Sequence, residues 1–154
     1  MPIQILHAAD FHLDAPFASL NAEQAAERRG EQRELLARLA ELARSRGADL
    51  VLLSGDLFDG GELYAETGQA LVRTLGQTGC PVFIAPGNHD FYSARSPYAR
   101  LAWPDNVHLF RRAGLTPVEL EGKACTVWGA AFTAPAREDS PLAGFAAPAD
   151  GRLH

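Results

Sequence analysis

Three short apolar segments, separated by two helix-length stretches, constrain the fold more than any other feature of this sequence. The segments are IQILHAA (3–9), DLVLLSG (49–55) and PVFIA (81–85). Because they are apolar at almost every position, we predict strands buried on both faces, with His7 as a hydrogen-bonded core residue. Strands of this kind alternating with helices form a mainly parallel sheet. The sequence therefore predicts an α/β fold.

The first connecting stretch carries clear helix signals. Residues 22–46 are predicted to form a long helix, with Asn21 as its N-cap and Gln24 three positions on, and Gly47 follows as a stop. A second helix is predicted over residues 64–78. An apolar stripe at helical spacing indicates the buried side of the first helix; it comprises Leu35, Leu39 and Leu42, flanked by Leu36, Ala40 and Ala43.

Beyond residue 105 the apolar segments are shorter. NVHLF (106–110), PVEL (117–120) and ACTVWGAAF (124–132) are typical of short strands joined by turns. Residues 133–150 are rich in Ala, Pro and Asp, and we expect a loop with one helical turn. No internal repeat or boundary divides the chain, so residues 1–154 are expected to form one domain.

Composition limits the function classes. The net charge of −5 does not favour a general nucleic-acid surface, since phosphate contacts need clustered Lys and Arg. Cys80 and Cys125 are too few for a disulfide framework and are expected to be buried, reduced thiols. With no signal-like N-terminus and no apolar run of about 20 residues, we expect a cytoplasmic protein that does not enter a membrane.

Each of the first three strands is followed at once by polar residues able to bind a metal. Alone, each motif is also typical of a turn. In a parallel sheet, however, the carboxyl ends of the strands share one edge, where ligands bind, so the three motifs are predicted to converge. These residues are Asp10 and His12 in DFHLD, Asp56 and Asp59 in GDLFD, and Asn88, His89 and Asp90 in GNHD.

The residue types fit a metal site. Asp10 and His12 are two apart, so in extended backbone both side chains point the same way. Gly55 and Gly87 each precede a candidate ligand and allow a sharp turn. Carboxylate, imidazole and amide oxygen, without thiolate, suit manganese, iron, zinc or magnesium. His89, beside a ligand, is placed to contact a phosphate or protonate a leaving oxygen.

Together, DFH, GDLFD and GNHD resemble the calcineurin-like metallophosphoesterase superfamily. ILHAADFHLDAPF (5–17) and GDLFDG (55–60) resemble more narrowly its DNA-repair exonuclease branch. The resemblance implies a β-sandwich flanked by helices, a four-layer αββα fold, here incomplete at the C-terminus. It also implies a DNA exonuclease that acts in repair, in which a metal-activated water attacks a phosphodiester.

The resemblance also implies residue roles and cofactors. Asp10 and His12 would hold the first of two divalent ions, Asp56 would bridge them, and Asn88 would hold the second. His89 would be the catalytic histidine. Asp59 and Asp90 would orient neighbouring groups. Manganese is the first expectation for both ions, with iron, zinc or magnesium as alternatives.

The family pattern extends further than this sequence. Its remaining ligands are histidines of two later motifs, and DGRLH (150–154) is typical of the lead-in to a further strand. We therefore interpret the chain as the N-terminal part of a longer phosphoesterase and expect weak manganese binding and little activity. The resemblance implies an ATPase partner of the SbcC type, and an uncovered apolar sheet edge would favour a homodimer or another partner.

Two other functions remain open at this point. The same chemistry could act on a cyclic nucleotide, a nucleotide or a phosphoprotein, because only the resemblance points to DNA. A different class is a non-catalytic binding module that keeps a vestigial site. Metal titration and a comparison of phosphodiester substrates separate the three.

Overall fold

A computed structural model describes residues 2–154 and contains the predicted elements in the predicted order. Helix α3 is an element that the sequence pattern did not predict, and the 133–150 segment forms turns. The elements are β1 (Ile5–Ala8), α1 (Ala22–Arg46), β2 (Leu50–Ser54), α2 (Ala65–Gly76), β3 (Val82–Ala85), α3 (Pro97–Arg100), β4 (Val107–Leu109), β5 (Thr116–Leu120) and β6 (Cys125–Gly129).

Strands β1 to β4 form a parallel sheet in the order β1-β2-β3-β4. Ala8 lies opposite Leu53, and Ser54 lies opposite Ala85, so the first three strands end at one edge. Right-handed crossovers between strands added in one direction place the connecting helices on the same face. The α/β class, with a parallel sheet flanked by helices, is confirmed.

Helices α1 and α2 pack on that face around a continuous apolar core. Leu71 and Leu75 of α2 are fully buried with Val51 and Ile84 of the sheet. The predicted capping box of α1 is present, because Asn21 Oδ1 accepts from Gln24 N at 2.9 Å and Gln24 Oε1 accepts from Asn21 N at 3.3 Å.

The buried stripe of α1 is rotated from the predicted one. Leu36, Leu39, Ala40 and Ala43 are buried, whereas Leu35 and Leu42 remain 51% and 42% exposed. Spacings of three and four residues fit either stripe. The one that contains two alanines faces the sheet, and small side chains let a helix approach its neighbour closely.

A second layer of strands covers the other face of the sheet. Strands β5 and β6 form an antiparallel pair. Leu120 and Cys125 of this pair pack against Leu50 and Phe83 of the parallel sheet. They also pack against Phe110, the residue that follows β4. Strands β2 and β3 are therefore buried between helices on one side and a β-ribbon on the other.

The amino edge ties the two layers together through Asp49. Its carboxylate accepts from Gln4 N at 2.8 Å and from Lys123 Nζ at 2.6 Å. The Lys123 bond, aided by the Gln4 N–H, lowers the pKa of Asp49 below its usual range. The start of the parallel sheet is thus linked to the turn before β6.

The prediction that His7 belongs to the core is wrong. Ile5 and His7 point to the ribbon side of β1 and are exposed, because β1 is an edge strand that the β5–β6 pair does not reach. Leu153, in the DGRLH segment, forms an isolated parallel bridge with Cys125 of β6.

Cys80 and Cys125 are free thiols in buried positions, as predicted. Among residues 2–154, no helix combines the length and apolar character needed to cross a bilayer.

Candidate metal centre

The loops after β1 and β2 continue the parallel pairing beyond the strands themselves. Asp10 N donates to Gly55 O at 3.2 Å, His12 N donates to Asp56 O at 3.0 Å, and Leu13 N donates to Leu57 O at 2.9 Å. This pairing brings DFHLD and GDLFD side by side. One ligand atom from each of Asp10, His12 and Asp56 lies within 4.8 Å of the others.

The backbone that achieves this convergence is left-handed, whereas extended backbone was expected at Asp10 and His12. The φ angles are 56° at Asp10, 45° at His12 and 51° at Asp56. Asp tolerates this conformation better than most residues because its short polar side chain bonds locally, and each such residue costs on the order of 1–3 kcal/mol. Surrounding hydrogen bonds hold the residues in this conformation.

Asp59 lies between the two histidines of the site. Its Oδ1 is 3.0 Å from His12 Nδ1 and 4.0 Å from His89 Nδ1. The two imidazole rings pack edge to face, with 5.1 Å between their centroids. His12, Asp59 and His89 form a second group whose ligand atoms lie within 4.8 Å of one another. Because Asp59 occupies Nδ1 of His12, Nε2 of that ring is left for a ligand.

The GNHD turn is fitted directly against Asp56. The Asp56 carboxylate accepts from His89 N at 3.1 Å, and a Cβ atom on Gly87 would overlap both Oδ1 and the backbone nitrogen of Asp56. Only glycine therefore allows this approach. Asn88 lies exposed in the same turn, and the His89 side chain is 54% exposed.

Asp90 fixes the turn from behind. This residue is only 3% exposed, and its carboxylate accepts from Gly87 N at 2.7 Å, from Phe58 N at 3.0 Å and from the Tyr98 hydroxyl. Burial, reinforced by the Asp90 charge, raises the pKa of Tyr98 well above its usual range, so its hydroxyl remains a donor. One buried carboxylate thus joins the loops after β2 and β3 to α3.

Sequence reasoning missed two supporting residues, Tyr98 and Asp14. Tyr98 lies on α3, a single turn of helix too short to give a periodic pattern. Asp14 Oδ2 accepts from Tyr64 N at 2.8 Å and Asp14 Oδ1 accepts from Thr67 Oγ1 at 2.8 Å, which satisfies donors at the start of α2. The position of Asp14 at the end of the DFHLD motif is the sequence signal that could have indicated its supporting role.

The side chains present fit divalent metal ions. Carboxylates and imidazoles with converging ligand atoms, without thiolate, are the donor set that Mn²⁺, Fe²⁺, Zn²⁺ and Mg²⁺ accept. His12 belongs to both groups, and with its Nδ1 bonded to Asp59 it offers one nitrogen to an ion. The specific ligand roles of Asp10, His12, Asp56 and Asn88 remain predictions.

Comparison with known proteins points in the same direction. A family described as calcineurin-like phosphoesterase matches residues 3–129. Uncharacterized metallophosphoesterase YhaO of Bacillus subtilis is 29% identical over 163 aligned positions, which cover 99% of this chain and 39% of the relative.

Two relatives with nuclease or repair names match shorter segments. A subunit of the nuclease SbcCD of Escherichia coli is 36% identical over 91 positions, covering 57% of this chain and 21% of that protein. DNA double-strand break repair protein Mre11 of Aeropyrum pernix is 39% identical over 95 positions, covering 60% and 22%. The chain therefore spans well under half the length of these relatives.

Replacing Gly87 with Ala tests the close approach of the two turns. The new methyl group must displace Asp56, so we expect Gly87→Ala to lose about 1–3 kcal/mol of unfolding free energy and to weaken Mn²⁺ binding at least about tenfold. Gly114→Ala is the control, because a Cβ there meets no described atom within 4 Å. Urea unfolding and calorimetric titration measure both effects. Equal Mn²⁺ affinity in the two variants would contradict the prediction that Asp56 binds a metal ion.

Replacing Tyr98 with Phe tests the buried Asp90 network. The change removes one of three donors to a buried carboxylate, so we expect a loss of about 1.5–3 kcal/mol of unfolding free energy. Tyr64→Phe is the matched control, since Tyr64 is 54% exposed. Urea denaturation compares the two, and a Tyr98→Phe protein as stable as Tyr64→Phe would show that the bond adds nothing.

Proposed function

Because the chain belongs to the calcineurin-like phosphoesterase family, we propose that it carries a dinuclear-metal phosphodiesterase site that acts on DNA. The observation that carries the proposal is the convergence of Asp10, His12 and Asp56 beside an exposed His89. Ligand-capable groups and an accessible acid–base group at one sheet edge are what hydrolysis of a phosphodiester needs.

The proposed ligand roles take up the family resemblance at the positions where the loops converge. Asp10 and His12 would hold a first divalent ion, Asp56 would bridge it to a second, and Asn88 would give the second ion one ligand from the β3 side. When bound, two such ions, with manganese the first expectation, supply an activated water and positive charge for the phosphoryl oxygens. The remaining chemistry belongs to side chains of this chain.

His89 is the residue that meets the substrate. Its side chain is exposed, while its backbone N–H is held by Asp56 and its Nδ1 faces Asp59. From this position the imidazole contacts the phosphate or gives a proton to the leaving oxygen. Asp59 also fixes the ring of His12 through Nδ1, which keeps Nε2 available to a metal.

Support for a DNA substrate comes from the relatives and from one local feature. Two of the relatives are called a nuclease subunit and a double-strand break repair protein. Arg111 follows β4 at the same edge of the sheet, and its guanidinium stacks over Tyr92 at 5.9 Å. A cation beside an aromatic ring is suited to a nucleic-acid strand, despite the net charge of −5.

The relatives also support a role in DNA repair with a protein partner. One relative is named as a subunit of a complex, so we propose an ATPase partner of the SbcC type for the whole protein. A homodimer and a cytoplasmic location, expected from the sequence, belong to the same proposal.

The central test measures phosphodiester hydrolysis by the 154-residue chain with added Mn²⁺. If later motifs supply further ligands, turnover will be slow. It should disappear with EDTA and fall by about 10²–10⁴ in His89→Gln. His7→Gln, which changes an exposed histidine of β1, should leave it unchanged. Oligonucleotides, a cyclic nucleotide and a small aryl phosphodiester identify the substrate class.

Two results contradict this proposal. Turnover equal in His89→Gln and wild type would exclude His89 from the reaction. Absence of Mn²⁺ binding at millimolar concentration would favour a non-catalytic module with a vestigial site.

Arg111→Ala tests the proposed path of the DNA strand. Loss of one phosphate contact should weaken binding of a single-stranded oligonucleotide and reduce the slope of log K against log salt concentration by about 0.7. Arg46→Ala is the control, because Arg46 is exposed at the end of α1, near the opposite edge of the sheet. Fluorescence anisotropy in EDTA measures both, and identical slopes for the two variants would exclude Arg111 from the strand's path.

A further inference from the structure

Gln32 of α1 reaches the backbone of the first ligand loop. Its Nε2 donates to His12 O at 2.9 Å and to Phe11 O at 3.2 Å. Gln32 precedes Leu36 by one turn on the buried side of α1, where a polar side chain is unusual. A helix amide therefore binds two consecutive carbonyl groups of the segment that carries Asp10 and His12.

The orientation of this amide is determined by its partners. Both carbonyl oxygens are acceptors only, so the NH₂ group must face them and the amide oxygen must face away. Gln32 Oε1 is then buried, with no hydrogen-bond partner among the described residues. An unpaired buried acceptor destabilises a fold. An apolar residue at this position would remove that unpaired oxygen but would leave Phe11 O without the donor that Gln32 supplies, so the two effects on overall stability oppose each other.

The two bonds complete the hold on His12. Its N–H donates to Asp56 O, and its C=O accepts from Gln32 Nε2 at 2.9 Å and from Ala15 N at 3.2 Å, so hydrogen bonds hold the left-handed residue on both sides. With the main chain held, the Cα–Cβ bond that carries the imidazole is set, and the ring itself is bonded to Asp59 through Nδ1. His12 belongs to both groups of converging ligand atoms, so its orientation affects the whole centre.

We propose that Gln32 is a positioning residue for the metal centre, which holds His12 in the left-handed conformation that its ligand role requires. This proposal rests on the proposed function for its purpose. The contact itself can be tested without any metal.

Gln32→Met removes the donor and the orphan acceptor together while keeping the length of the side chain. We expect the amides of His12 and Leu13 to exchange with solvent about tenfold faster without metal. The global unfolding free energy should change by less than about 1.5 kcal/mol, because loss of the donor is offset by loss of the unpaired oxygen. We also expect Mn²⁺ to bind about tenfold more weakly. Hydrogen exchange by NMR, urea unfolding and calorimetry measure these quantities.

Two further variants complete the experiment. Gln32→Glu keeps the shape and places a carboxylate against the two carbonyl groups, so it should show the same changes more strongly and replaces Gln32→Met if that variant fails to fold. Glu41→Met makes a similar substitution at an exposed position of the same helix and should change none of the three measurements.

The outcomes separate this proposal from the proposed function. Unchanged amide exchange at His12 and Leu13 in Gln32→Met overturns the role of Gln32, whatever the metal affinity. Faster exchange with unchanged Mn²⁺ affinity also overturns it, because the amide would then be only structural. A wild-type chain that does not bind Mn²⁺ contradicts the proposed function, and in that case Gln32 has no ligand to position.

Discussion

Parallel hydrogen bonding between neighbouring strands is the interaction on which the rest of the structure depends. The register that sets Ala8 opposite Leu53 and Ser54 opposite Ala85 continues past the strand ends into the loops. This backbone pairing brings together polar residues that are far apart in sequence. No hydrogen bond between their side chains is needed for that. A shift of one residue in either pairing would exchange the side chains that face the helices with those that face the ribbon, and it would separate the candidate ligands.

Two polar residues behind the site support it, Asp90, which is buried, and Gln32, which is partly buried. Asp90 joins the turns after β2 and β3 to α3, and Gln32 joins the loop after β1 to α1. These contacts fix backbone, and the exposed side chains of His89 and Asn88 are positioned as a result. The mobility expected of exposed loops is limited here by bonds to buried carboxylate and amide groups.

Local sequence signals predicted most of this fold. The apolar strands, the Asn21 cap and the Gly47 stop depend on neighbouring residues, and each lies where the pattern placed it. The left-handed backbone at Asp10 and His12 and the burial of Leu36 instead of Leu35 could not be predicted, because tertiary hydrogen bonds and packing decide them. The site was predictable as a meeting of motifs at one edge, but the contacts that hold it were not.

The left-handed residues also limit which amino acids can occupy the site through evolution. Asp10, His12 and Asp56 must combine a metal-capable side chain with a positive φ angle, a conformation in which Asp, Asn and His are enriched among residues with a side chain. An alanine at any of them removes a candidate ligand and strains the backbone at once, so its effect overstates the contribution of the side chain. Asparagine retains the backbone preference and is the more informative replacement. Sequences that have lost the metal but kept the fold are accordingly expected to carry Asn or Gly at these positions.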